Sequence, residues 1–115
     1  MTARALKLVV VAVGPPNQTV LIRDGESIET GVTILETSGR PISGATVTIG
    51  LGTAHEPPNV FATPDLDRSG LTPDIRTVHL LVGSTTPTGR WHRWIKIALG
   101  DEIRLLRAPG VVTIR

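Results

Sequence analysis

The sequence predicts an all-β domain, an antiparallel β-sandwich of seven or eight strands. Three observations carry that expectation. Apolar residues recur at every second position in four long runs, clusters of Gly, Pro, Asp and Ser separate the runs, and no window has the spacing of an amphipathic helix. A length of 115 residues suits one domain that buries its own core without a metal or disulfide staple.

The elements follow in chain order. Leu8-Val9-Val10-Val11-Ala12-Val13 is apolar on both faces and stops at Pro15-Pro16. A strand of that kind is covered on both sides, either as the first strand of the sandwich or as an arm that adds to a neighbour's sheet. Residues 1–17 are therefore set apart as an amino-terminal strand or arm and residues 18–115 as the sandwich; an arm could be removed and leave the sandwich folded. Val20-Leu21-Ile22 runs into Asp24-Gly25, a hairpin-type signal. Ile28, Thr30, Val32 and Ile34 then alternate with Glu29, Gly31, Thr33 and Leu35 in a strand that ends at Ser38-Gly39-Arg40-Pro41. Ala45, Val47, Ile49 and Leu51 form the next apolar set.

Between residues 53 and 74, Pro57, Pro58, Pro64 and Pro73 mark a long connection with at most one short strand, around Val60-Phe61-Ala62. Val78, Leu80 and Val82 follow, and then Trp91, Arg93, Ile95, Ile97 and Leu99 alternate with His92, Trp94, Lys96 and Ala98. Gly100-Asp101 turns this strand into Ile103-Arg104-Leu105, and Pro109-Gly110 precedes a last run, Val111 to Ile114. Short strands at this spacing fit an immunoglobulin-like sandwich, with a small barrel as the competing architecture.

Composition narrows the function. There is no cysteine, which excludes a disulfide framework, a thiolate metal site and a cysteine nucleophile. Twelve Lys and Arg against ten Asp and Glu leave a net charge of +2, so the pI of about 9.9 counts arginines and does not report a strong positive field. The basic residues are dispersed, and no nucleic-acid partner is expected. Arg4 and Lys7 ahead of a six-residue apolar run imitate a signal peptide, but the run is too short and lacks a small-residue cleavage site. Nor does any run approach a membrane span. The chain is expected to be made in the cytosol, with no membrane partner. Charged residues are sparse at 19%, against about 25% in an ordinary domain. That scarcity suits a chain surrounded by neighbours.

No catalytic, cofactor or metal residue is expected. His55, His79 and His92 lie far apart, and the His55-Glu56 pair has no second ligand cluster. Asp65-Leu66-Asp67 lacks the glycine and the terminal glutamate of a calcium loop. Ser38, Ser43, Ser69 and Ser84 are turn residues without a nucleophile context, and Gly50-Leu51-Gly52 has neither the third glycine nor the helix of a phosphate site. The segment that stands out is the cationic tryptophan strand. Trp91 is expected in the core, and Arg90, His92 and Trp94 at a protein contact. Leu8, Val10, Val11 and Val13 are the candidate contacts of the amino-terminal segment.

Several phrases carry a family likeness: Asp24-Gly25-Glu26; Ser38-Gly39-Arg40-Pro41-Ile42-Ser43-Gly44-Ala45-Thr46-Val47-Thr48-Ile49; Thr86-Pro87-Thr88-Gly89-Arg90-Trp91; Trp94-Ile95-Lys96-Ile97-Ala98-Leu99; and Gly110-Val111-Val112-Thr113-Ile114. Over residues 18–115 the chain resembles bacterial and phage immunoglobulin-like domains. More narrowly it is similar to the small immunoglobulin-like virion domains of tailed phages, such as the amino-terminal domain of baseplate upper proteins. It departs from that pattern where Arg90 separates the Thr-Pro-x-Gly phrase from its aromatic residue. The resemblance implies a non-enzymatic virion subunit, most narrowly a minor tail or tail-tip protein assembled in the bacterial cytoplasm. Its partners would be other virion subunits, met by self-association or strand addition. A capsid decoration protein and a free adhesin or carbohydrate-binding module are the alternatives.

Overall fold

A computed structural model describes residues 5–83 and 85–115, with Asp24 described by its backbone alone; residues 1–4 and the turn serine Ser84 lie outside the described residues. Nine strands form within them: β1 (Leu8–Ala12), β2 (Gln18–Val20), β3 (Ile28–Glu36), β4 (Thr46–Gly52), β5 (Leu66–Ser69), β6 (Ile75–Val82), β7 (Gly89–Leu99), β8 (Glu102–Arg107) and β9 (Val112–Ile114). They make two sheets. The first has the order β1-β3-β6-β5 and is antiparallel throughout. In the second the order is β2-β9-β7-β4, with β8 also paired to β7. Long β7 meets β4 along one side and, along the other, β9 with its first residues and β8 with its last. Strand β2 runs parallel to β9, and every other pairing is antiparallel.

The alternation read from the sequence sets the layers. Val32 and Ile34 of β3, Val47 and Ile49 of β4, Val78 of β6, and Ile95 and Ile97 of β7 meet in one buried cluster with Leu6, Ile42 and Ala108. A second, smaller cluster joins Val20, Val82, Val112 and Ile114, with Trp91 packed against it. Between the two lies a polar layer. Fully buried Arg93 donates to Thr30 Oγ1 at 3.0 Å, Gln18 Oε1 at 3.4 Å and the Pro109 carbonyl at 3.1 Å, and also to the Pro16 carbonyl. Along β7 the inward order is Trp91, Arg93, Ile95, so this layer divides the interior crosswise.

Other polar groups tie the connections down. Arg76 grips Asp67 of β5 with two hydrogen bonds, Nε at 2.6 Å and Nη2 at 2.8 Å. Its Nη1 donates to the carbonyls of Ile42 and Ala45, each at 2.8 Å, and so fastens the crossover from β3 to β4. Glu36 is buried and accepts from the Lys7 N–H, the Ser38 N–H and hydroxyl, and the Arg40 N–H, at 2.7 to 3.0 Å. Burial alone would raise this carboxyl, but the bonds from Ser38, Lys7 and Arg40 outweigh it and bring the pKa down from 4.5 to about 2.

Three expectations change. Asp24-Gly25 is not a hairpin: Ile22–Asp24 is a 3-10 turn capped by Gly25 at φ +73°, and it carries the chain from β2 in one sheet to β3 in the other. The connection after residue 53 contains β5, paired with β6 from Leu66↔His79 to Ser69↔Arg76, so Ser69 ends a strand. The short strand sought at Val60-Phe61-Ala62 is a single bridge, Ile49↔Ala62. Of the two readings left open for the amino-terminal segment, the described residues take the first: β1 pairs with β3 in the first sheet. Leu6 is 1% exposed in the main cluster, its N–H donates to Glu102 at 2.7 Å, and its carbonyl accepts from Arg104 at 3.0 Å. Removing 1–13 would strip a core residue and a Glu36 ligand, so the sandwich would not survive it intact.

Two outcomes follow for stability. The Glu36 pKa is lower folded than unfolded, so its contribution is complete above about pH 4.5 and fades as pH falls toward 2. Glu36→Gln should lower stability at pH 7 by roughly 1.5–3 kcal/mol and flatten the acid limb in urea titrations run from pH 6 to pH 3. Arg93→Met should cost about 1–3 kcal/mol in the same assay, because it removes the charge but strands the neutral acceptors of the polar layer.

Candidate interaction surface

The pleat that fills the interior also settles which residues face outward. On β1, Leu8 and Val10 turn inward and pack against the main cluster, while Val9 and Val11 stand outward at 46% and 39% exposure. Of the amino-terminal contact candidates, Val11 therefore faces outward, whereas the side chains of Leu8 and Val10 are committed to the core. Val13 is half-buried just beyond the strand, its N–H donating to the Gly31 carbonyl at 3.0 Å.

The first sheet carries an outward groove of about 660 Å³ lined by Val13, Thr33, Arg68, Leu71, Thr77 and His79. Thr33 and Thr77 share a hydrogen bond of 3.0 Å on its floor. His79 lies over Gly31, where an added Cβ would come within 2.8 Å of the imidazole. Leu81, also outward on β6, is 55% exposed.

The outer face of the second sheet is partly roofed. Residues 53–61 fold back across β4, and two glycines leave them the space. A Cβ at Gly50 would sit 2.7 Å from Pro58, and one at Gly52 would sit 2.5 Å from the Glu56 carbonyl. The Gly-Leu-Gly phrase is thus a bare strip for a loop to lie on. Trp94 Nε1 donates to the Thr53 carbonyl at 2.9 Å, and Arg107 donates to the Ala54 carbonyl, which pins the loop from beneath. Trp94 is consequently half-buried under its own chain. Trp91 packs on the second cluster, with its Nε1 bonded to the Pro87 carbonyl at 2.9 Å. Arg90 is exposed at the start of β7. His92 is half-buried, with Nδ1 lacking a hydrogen-bond partner; burial, and then the charges of Arg107, Arg90, Arg93 and His55, push its pKa down. Beyond the loop, Ile103 and Leu105 are exposed at 58% and 48%, next to a groove of about 420 Å³ lined by Thr46, Thr48, Phe61, Lys96 and Ala98.

The candidates from β7 and those from the amino-terminal segment therefore lie on different sheets. His79 and His92 face outward from opposite sheets as well, and among the described residues no cluster of three His, Asp or Glu is placed to hold a metal. The polar groups that matter most, Arg93, Glu36 and Arg76, were not singled out from the sequence. The available signal was a charged residue at an inward position of a strand, which the parity of β7 displays at Arg93. What the arrangement can do chemically is present apolar rows and the open edge of β1. No protein-family model matches the chain, and no curated protein matches it significantly.

Gly52→Ala should dislodge the 53–61 loop, since the new methyl group would collide with backbone rather than with a flexible side chain. Limited proteolysis should then cut this loop several-fold faster than in the parent, with Trp94 fluorescence shifted to the red and the far-UV β signal retained.

Proposed function

We propose that this chain is a non-enzymatic structural subunit of a tailed-phage virion, most narrowly a minor tail or tail-tip protein, with an immunoglobulin-like sandwich as its body. Strand order supports the fold assignment. One sheet runs β1-β3-β6-β5 and the other contains β4, β7 and the β8–β9 pair, in the positions of the A-B-E-D and C-F-G sheets of a constant-type domain. In that correspondence β8 and β9 are one interrupted last strand, and β2 is the part of the first strand that crosses to the opposite sheet.

The observation that carries the functional reading is the outward apolar surface. Val9, Val11 and Leu81 on one sheet, with Ile103 and Leu105 on the other, are large aliphatic side chains left in water by the chain alone. Val9 and Val11 are same-face neighbours on β1, and Ile103 and Leu105 on β8, so each pair forms one apolar patch of the kind that marks a protein contact. The resemblance in the turn phrases supplies the kind of assembly. A glycan-binding role is less well supported, because a sugar platform needs an open aromatic face and Trp94 is held beneath residues 53–61.

Mass spectrometry of purified particles from the encoding genome, with heads and tails separated, tests this. The chain should appear in stoichiometric amounts in the tail fraction. Its presence only with heads would favour capsid decoration, and its absence from particles would reject a virion role.

A further inference from the structure

We infer that β1 is a self-complementary edge through which two copies of this chain pair, antiparallel about a two-fold axis at Val10, to make one continuous sheet. The inference rests on the assembly reading above and names the partner: a second copy of the chain. It starts from hydrogen-bond parity. Thr37 donates to the Lys7 carbonyl and Val13 donates to the Gly31 carbonyl, so odd-numbered residues of this segment direct their backbone groups toward β3. In an antiparallel ladder the intervening residues direct theirs the opposite way. The N–H and C=O groups of Leu8, Val10 and Ala12 therefore face the open side of the sheet.

The other edges are managed. Ala62 bridges to Ile49 on the open side of β4. Strand β5 is four residues long and carries Asp67 and Arg68. Glu102 and Arg104 of β8 bind the backbone of Leu6, drawing residues 5–7 alongside that strand. Strand β2 has only three residues. By contrast β1, Leu-Val-Val-Val-Ala, has no charge, no proline and no bulge, the devices that ordinarily blunt an edge.

Parity then selects the register. Two β1 strands can pair only where even residues oppose even residues, as occurs when Val10 faces Val10 of the second copy. That alignment sets Leu8 against Ala12 and Val9 against Val11, and it pairs the whole of each strand. A shift by one residue in each strand would set Lys7 against Val11, or Gly14 against Leu8, and would leave part of β1 unpaired. With Val10 central, three hydrogen-bonded pairs form and the outward valines of both copies merge into one apolar stripe. The four strands of each chain's first sheet become a sheet of eight.

The absence of native cysteine makes the register directly readable. Val9→Cys and Val11→Cys chains are mixed and oxidised gently, with Val60→Cys, at an exposed position in the loop that covers the other sheet, as the collision control. In the proposed register the Cα atoms of positions 9 and 11 lie about 4.5 Å apart across the dimer, within disulfide range. The mixed 9–11 disulfide should form at least tenfold faster than the control, and ahead of the 9–9 and 11–11 species. Ala12→Pro, which removes an N–H that points away from β3, should abolish this advantage while leaving the thermal midpoint of the monomer within a few degrees. Preferential 9–9 or 11–11 linkage would overturn the register, and rates equal to the control would overturn the pairing. Both results are obtained on the isolated chain, so they stand apart from whether the protein is found in particles.

Discussion

Arg93 is where the two halves of the interior meet, and the arrangement of the surrounding segments follows from its needs. A guanidinium with no solvent access must find acceptors, and those it has are neutral: two prolyl carbonyls, an amide oxygen and a hydroxyl. They come from three separate parts of the chain. Pro16 precedes β2, Gln18 begins it, Thr30 belongs to the opposite sheet, and Pro109 lies in the break between β8 and β9. Gly110 sits at φ +92° where any Cβ would fall within 2.0 Å of the Pro16 carbonyl, so the break can approach closely enough for both carbonyls to reach the same cation. Such a layer contributes less to net stability than to uniqueness, because a shifted register would leave the charge without acceptors.

A comparable logic holds the crossovers. Antiparallel neighbours need only short turns, but passing from one sheet to the other exposes backbone groups at the end of the sandwich. Glu36 takes up three N–H groups there, and Arg76 takes up carbonyls of the same crossover from the other side. The amino-terminal segment is drawn into this arrangement through Lys7 and Leu6. This explains why a run that looks like a detachable arm is integral to the fold, although its outer edge is open.

The two outer faces have different fates. On the second sheet, glycines at positions 50 and 52 let the proline-rich loop lie on β4 and shelter Trp94, so part of the cationic tryptophan strand is spent on its own chain. Among the described residues the first sheet has no such roof. Its outward valines, Val9 and Val11, remain exposed beside the unguarded β1 edge. Sheet 2 keeps Ile103 and Leu105 as a second apolar patch beyond the loop.

Much of the architecture was legible in the amino acids. Alternation at Ile28 to Ile34, at Val47 to Leu51 and at Trp91 to Leu99 assigned the strands and the residues that share each face, because a strand's side chains must take opposite sides in turn. Gly100-Asp101 was likewise readable as a tight turn between β7 and β8, where Leu99 pairs with Glu102. Strand β5 was not legible, since Leu-Asp-Arg-Ser owes its pairing to Arg76 and the neighbouring β6, and local propensity is silent there. Asp24-Gly25 misled for a related reason: a turn signal says that the chain reverses locally and does not say which sheet receives the next strand. The outward candidates divided in the same way. Composition showed that apolar surface was in excess, but only the tertiary pairing decided that Val11 faces water, that Leu8 and Val10 face the core, and that Trp94 is covered. Local periodicity records which residues share a face; which face is buried, and by what, depends on contacts between residues far apart in the chain.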